Sequence, residues 1–276
     1  MKGFFRRFYL VIILAFLYLP ILTLVVFSFN ESKTMAKWGG FSLKWYGELF
    51  TNSTILGAIV VTLSIAMLAS LIATAIGTFA AIGINNFKKR PKAFMMSLSY
   101  IPLVNADIVT GISMLLLFIL LQIPRGYVTL LVAHITFCLP YTVLSVLPRL
   151  KTMDKALYEA ALDMGATPRQ AIRRVVIPDI MPGIVTGFIL AFTLSFDDFV
   201  ISFFTTQGML SNLSIYIYSM AKKGIKPEIN ALSAIMFVVV MVLLVIINKR
   251  SPDMIAAQKE NKNRRSDGEI FEGENR

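Results

Sequence analysis

The chain has 276 residues, 56% of them hydrophobic, with a mean hydropathy of +0.70 and a formal net charge of +11. That is too apolar for a soluble domain of this length and places the chain in a bilayer, with membrane lipid as its first partner. The basic residues cluster in short segments between apolar runs, a topology pattern that excludes nucleic acid, and the single cysteine, Cys138, excludes an internal disulfide framework or a cysteine-rich metal site.

In chain order, Lys2, Arg6 and Arg7 precede an uncharged run over 8–29. The run is too long for the core of a secretory signal and no small-residue cleavage site follows, so it reads as an uncleaved first span. A polar loop over 30–53 carries Trp38 and Trp45, placed to suit the membrane interface. The second span, 55–84, holds Ala69, Ala73, Gly77 and Ala81 at intervals of four, a small-residue stripe that lets another helix approach closely. Lys88, Lys89, Arg90 and Lys92 in the loop 85–92 fix it on the cytoplasmic side. A third span covers about 93–121, and a hairpin over 122–126 leads into a fourth over about 127–147. The fourth span holds the only histidine, His134, which reads as a hydrogen-bonded packing residue rather than a proton relay.

The segment 149–182 is the long polar passage of the chain and carries Arg149, Lys151, Lys155, Arg169, Arg173 and Arg174, so it lies in the cytoplasm. It reads as two short helices and a bend. Ala156, Leu157, Ala160, Ala161 and Met164 share one helical face, with Glu159 and Asp163 on the other. Gly165 supplies a left-handed cap, Thr167 and Gln170 complete a capping box around Pro168, and Pro178 and Pro182 close the unit. A fifth span runs over about 183–204, an external loop with a short amphipathic segment over 205–228, and a sixth span over about 229–247, stopped by Lys249 and Arg250. The fold class is therefore all-α and integral to the membrane, with six crossings and both termini cytoplasmic. Residues 1–250 form the membrane domain and 251–276 a disordered tail. Lys222, Lys223 and Lys226 fall outside, against the prevailing charge rule.

Acidic residues inside spans are costly and mark pathways or partners. Asp107 falls about 14 residues into the third span and Asp198 about 15 into the fifth, which puts both roughly 21 to 23 Å along their helices and able to face a common passage. Ser195, Asp198 and Ser202 share a helical face, so Asp198 is the candidate pathway residue, with Asp197, about 100° away, serving an interface or a supporting hydrogen bond. Phe192, Phe196, Phe199 and Phe203 form a neighbouring stripe that packs or, beside carboxylates, holds organic ammonium groups.

Glu159, Ala160, Ala161, Gly165 and Pro178 stand at the spacing of the E-A-A, three residues, G, nine residues, I-x-L-P signature, with Val175 and Ile177 as conservative replacements. In this the chain resembles the membrane permease subunits of ABC importers. The stretches PLVNADIVTGISMLL (102–116), TLSFDDFVISFF (193–204) and IYSMAKKGIKPEINAL (217–232) narrow the resemblance to the spermidine/putrescine type, over about residues 1–250.

The resemblance implies a type I importer permease fold in a bacterial plasma (inner) membrane. It also implies a second permease subunit, two ATPase subunits that grip the bend around Glu159 to Gly165, and an extracytoplasmic polyamine-binding protein. No Gly-x-x-x-x-Gly-Lys-Ser/Thr loop occurs, so the chain is expected to be no enzyme and to bind no cofactor, ATP and Mg residing on the partner ATPase. The expected pathway set is Asp198, Asp107, Asp197, Ser195, Ser202, Phe196 and Phe199. A same-family permease for another small solute is the nearest alternative, and an ion-driven secondary transporter using the aspartates as proton carriers is the alternative from another class.

Overall fold

The computed structural model describes residues 2–32, 37–206, 208, 210–223 and 227–250. Among them the chain is helical, and its one β feature is an isolated bridge between Asn30 and Phe41. The helices are α1 (Lys2–Phe27), α2 (Lys44–Thr51), α3 (Ser53–Asn86), α4 (Lys89–Val104), α5 (Asp107–Leu120), α6 (Tyr127–Thr152), α7 (Lys155–Asp163), α8 (Pro168–Ala171), α9 (Ile177–Asp197), α10 (Val200–Thr206), α11 (Leu213–Lys223) and α12 (Pro227–Arg250). A single π turn, Ile172–Val176, joins α8 to α9. By length and composition five of the described helices are able to cross a membrane, or six if α4 and α5 are one bent span. The tail 251–276, expected to be disordered, and Lys226 lie outside the described residues.

The chain divides into two compact units. The first comprises residues 1–62 and 210–241. Its core joins α2, the start of α3, α11 and the start of α12 through Trp45, Leu49, Ile55, Ala58, Leu213 and Leu232. Asn30 organises the loop before α2. Its side-chain carbonyl accepts from the Ser32 and Gly39 amides at 3.2 and 2.7 Å, and its side-chain amide donates to the Lys37 carbonyl at 2.9 Å. The Trp45 indole N–H donates to the Asn30 backbone carbonyl at 2.6 Å. That bond corrects one expectation: Trp45 is 4% exposed and belongs to the core, because a tryptophan whose N–H is satisfied can be buried whole, whereas Trp38 stays half-exposed. The amphipathic segment expected in the following loop is α11, and the Lys222 ammonium lies 4.8 Å from the centre of the Tyr218 ring.

The second unit comprises residues 63–209 and 242–276. Its centre is α6, packed on α3 along one side and on α9 along another. The small-residue stripe is the α3 seam: Ala69, Ala73 and Ala81 are fully buried, and a Cβ at Gly77 would collide with the Thr142 hydroxyl of α6. That hydroxyl donates to the Ala73 carbonyl at 3.0 Å, so the helices are bonded as well as packed. A matching seam on α9 brings Gly183 against Arg149 and Gly187 against Thr142 and Ser145, with the Ser145 hydroxyl donating to the Gly183 carbonyl at 3.2 Å. Phe118, Ala133, Phe137, Cys138, Ala191 and Ile201 fill the adjoining core of α5, α6, α9 and α10.

Two spans differ from the sequence expectation. The third is not straight: α4 and α5 meet at 105° across Asn105 and Ala106, whose backbones are extended. Pro102 removes an amide in the last turn of α4 and weakens it there, and Asp107 opens α5 in a first turn where a carboxylate suits the helix dipole. The helix of the fifth span begins earlier and ends sooner than the 183–204 expected for that span. Pro178 and Pro182 do not close a unit, because the helix runs from Pro168 through the π turn to Asp197. The Ile177 amide reaches back five residues to the Ile172 carbonyl. This wider turn gives the Pro178 ring room against the preceding turn, so the proline is absorbed rather than breaking the helix.

Candidate functional site

Two places in the second unit gather the residues singled out from sequence. The first is the bend between α7 and α8. Asp154 caps α7, its carboxylate accepting from the Ala156 amide at 2.9 Å. At the other end Gly165 takes a positive φ of 85°. Its amide donates to the Leu162 carbonyl at 2.8 Å, and the Ala166 amide to the Ala161 carbonyl at 3.0 Å. These are the two bonds of a Schellman stop, which needs a residue free of a Cβ penalty at the glycine position.

Thr167 then restarts the chain: its hydroxyl accepts from the Gln170 amide at 3.4 Å, and the Gln170 side chain accepts from the Thr167 amide at 2.9 Å. The hydrogen bonds that shape the bend thus come from residues close together in the chain, while Tyr158 and Ile172 on either side of it pack on the core of the unit. Met164, at its tip, is 89% exposed, and Leu157 and Ala160 are exposed as well. Spaced at three and four residues, these side chains form one outward apolar face of α7 and its cap. Glu159 lies on the other side, at a cleft of about 330 Å³ whose lining includes Ile82, Asn85, Leu150, Tyr158 and Ile172. Pro178 is exposed and sits beyond the π turn, outside the bend itself.

The second place is the break between α9 and α10. Ser195, Asp198 and Ser202 were expected on one continuous helical face. The helix instead stops at Asp197, and Asp198 and Phe199 are the joint. The Asp198 carboxylate accepts from the amides of Ile201 at 3.2 Å and Ser202 at 2.8 Å, and from the Ser202 hydroxyl at 2.9 Å, so it caps the start of α10. Its side chain is only 6% exposed.

From α6, the His134 ring closes the cluster. Nδ1 lies 2.6 Å from the Ser195 hydroxyl, Nε2 lies 3.0 Å from the Ser202 hydroxyl, and Nε2 lies 3.5 Å from the Asp198 carboxylate. His134 is 1% exposed, Ser195 2% and Ser202 fully buried. His134 is therefore hydrogen-bonded, as expected. A carboxylate neighbour, Asp198, reaches it from across the bundle.

Asp197 is exposed, and Asp107 is exposed at the start of α5. Asp107 does not lie 14 residues along a straight helix, because the bend between α4 and α5 intervenes. It is tied to the Asp198 region by packing instead: one turn further along α5, a Cβ on Gly111 would meet Phe204 and the backbone of Val200 and Ile201 on α10. The phenylalanine stripe divides at the same joint. Phe188, Phe192 and Phe196 follow one another on α9 with centres 6.3 and 6.0 Å apart, and Phe199 at the joint pairs with Phe203 of α10 at 5.4 Å. Phe196 is buried and Phe199 half-buried.

Sequence reasoning missed His134 as a member of this cluster. The available signal was the order Ser195, Asp198, Ser202 beside a single intramembrane histidine, two hydroxyls flanking a carboxylate that a ring with two nitrogens can bridge. Among the described residues no group of three or more histidine, cysteine or acidic side chains is arranged to hold a metal ion.

Residues 73–254 match the family described as the binding-protein-dependent transport system inner membrane component. The chain is 39% identical over 233 residues to the spermidine/putrescine transport system permease protein PotC of Escherichia coli (strain K12), covering 84% of this chain and 88% of that protein. It is 38% identical over 230 residues to the putrescine transport system permease protein PotI of the same strain, covering 80% and 81%. Among solved structures, a chain of a bacterial ABC transporter involved in import of the acidic polysaccharide alginate superposes with a TM-score of 0.64 at 20% identity, over 91% of this chain and 96% of that one. A chain of the MetNI methionine ABC transporter, in an inward-facing conformation, gives 0.58 at 16% identity, over 73% and 96%.

Proposed function

Because the chain belongs to the family of binding-protein-dependent transport system inner membrane components, we propose that it is the permease subunit of an ATP-driven polyamine importer. It is a multi-pass protein of the bacterial inner membrane. The reading is supported above all by identity to permeases named for spermidine and putrescine transport over more than four-fifths of the chain. The bend between α7 and α8, with its local hydrogen bonds and apolar tip, supports the coupling half of the reading.

In this reading residues 1–250 form the membrane domain, crossing six times with α4 and α5 as one bent span and both ends in the cytoplasm. The segment 149–182 is the intracellular coupling element, and 251–276 is a cytoplasmic tail. A second permease subunit completes the passage, two ATPase subunits bind ATP and Mg, and a binding protein delivers the solute from outside. The chain itself hydrolyses nothing and holds no cofactor. Closure of the ATPase dimer presses on Glu159, Ala160, Ala161 and the Met164 to Gly165 tip, and the helix through Pro178 carries the displacement into the membrane.

Asp198 and Asp107 offset the ammonium groups of the passing polyamine, because each charge stripped of water needs a local counter-charge. Asp197, Ser195, Ser202, Phe196 and Phe199 shape the same stretch of passage. The test is reconstitution of the chain with its partner permease, ATPase and binding protein in vesicles loaded with ATP. Uptake of labelled spermidine that requires ATP and is competed by putrescine is expected. Uptake that follows a proton gradient without the ATPase, or that ignores polyamines while accepting another solute, overturns the reading.

A further inference from the structure

We infer that His134 is a positioning residue for Asp198, the member of the bundle that holds the proposed pathway carboxylate in place across the break between α9 and α10. The inference rests on the reading of Asp198 as a pathway residue.

The geometry is specific. A break in a helix leaves amides and carbonyls without partners inside the bundle, and each needs a substitute. Here Asp198 supplies acceptors for the α10 amides, which ties the carboxylate to a helix of only seven residues. The imidazole ties the same carboxylate to the central helix. It touches Ser195 in the last turn of α9, Ser202 in the first turn of α10, and the carboxylate between them, so one ring spans both helix ends and the joint. Because the ring stands on α6, it also fixes where the joint lies relative to the central helix of this unit. Ser195 and Ser202 then serve the histidine and the carboxylate as intermediaries, which accounts for two buried hydroxyls at this depth. A packing histidine needs one partner at each nitrogen; this one spends both on residues flanking the same aspartate.

The test is a double-mutant cycle on ATP-driven spermidine uptake by the reconstituted complex, using His134→Leu, Asp198→Asn and the pair. If His134 acts through Asp198, His134→Leu lowers the maximal uptake rate about tenfold, with the half-saturating concentration of loaded binding protein unchanged, and the double variant is no slower than Asp198→Asn alone. His134→Gln, whose amide still donates and accepts, recovers uptake to within about threefold of the native chain.

Losses that multiply in the double variant, or a His134→Gln as impaired as His134→Leu, overturn the inference while leaving the pathway role of Asp198 intact. Normal uptake by Asp198→Asn overturns that role, and the inference with it. Should His134→Leu fail to assemble, Ser195→Ala replaces it in the same cycle. It removes one hold on the imidazole without touching the carboxylate, and the same non-additivity with Asp198→Asn is required.

Discussion

The bend between α7 and α8 and the break between α9 and α10 both interrupt helices, and they are built in opposite ways. At the bend the bonds that stop one helix and start the next come from residues 154–171, so the geometry is written in neighbouring residues. At the break the decisive group, His134, stands more than 60 positions away and reaches the joint only because α6 packs against α9. A part that has to be gripped from outside benefits from keeping its shape unaided, since its surroundings change as it is pushed. A part that has to respond to the bundle benefits from being held by the bundle.

That contrast is breakable. Gly165→Val carries the largest expected effect. It forces a branched side chain into a left-handed backbone at a cost of roughly 1 to 2 kcal/mol, and because no neighbour is displaced the damage is to the direction of the bend. Uptake falls at least tenfold while the ATPase subunits still hydrolyse ATP, measured as the ratio of solute moved to phosphate released. An unchanged ratio means the bend does not set the coupling.

Asp198→Asn comes next, with about a tenfold loss of uptake, or about 1.4 kcal/mol of barrier, and a preserved ATPase response to loaded binding protein. Met164→Glu places a charge on the exposed tip and weakens binding of the isolated ATPase subunit in a pull-down by roughly tenfold, or about 1.4 kcal/mol; equal capture removes the tip from the interface. Thr167→Ala is smaller, removing a cap worth about 1 kcal/mol. Faster amide exchange confined to 167–171, with uptake nearly normal, is the expected signature. The smallest effect is that of Pro178→Ala, which lets the π turn relax to ordinary helix and leaves uptake within about twofold, read by a shortened pattern of slow amide exchange around 172–177.

The same contrast explains what was legible in the sequence. Gly165, Thr167, Pro168 and Gln170 announce the bend because capping chemistry acts over three or four residues, and the small-residue stripe on α3 announces its seam because period four survives any packing. The ends of the fifth helix depart from the sequence expectation for a related reason: proline has a strong local meaning, but a π turn that accommodates it leaves no mark in composition. Likewise nothing near Asn105 states that the third span turns by 105°. The burial of Trp45 depended on a carbonyl 15 positions away, and the His134 cluster on three helices meeting, which one sequence without its tertiary contacts cannot display.

The absorbed proline has a mechanical result. From Pro168 to Asp197 the backbone is one shaft of 30 residues, about 45 Å long at 1.5 Å per residue. Tilting such a shaft by about 5° around one end sweeps the other through about 4 Å, comparable to one ion-pair distance. Its inner tip is Asp197, next to the joint that carries Asp198. A small rotation is thereby amplified along the shaft into a displacement large enough to make or unmake contact between a carboxylate and a cation, and α6, seamed to its middle at Gly183 and Gly187, has to follow it.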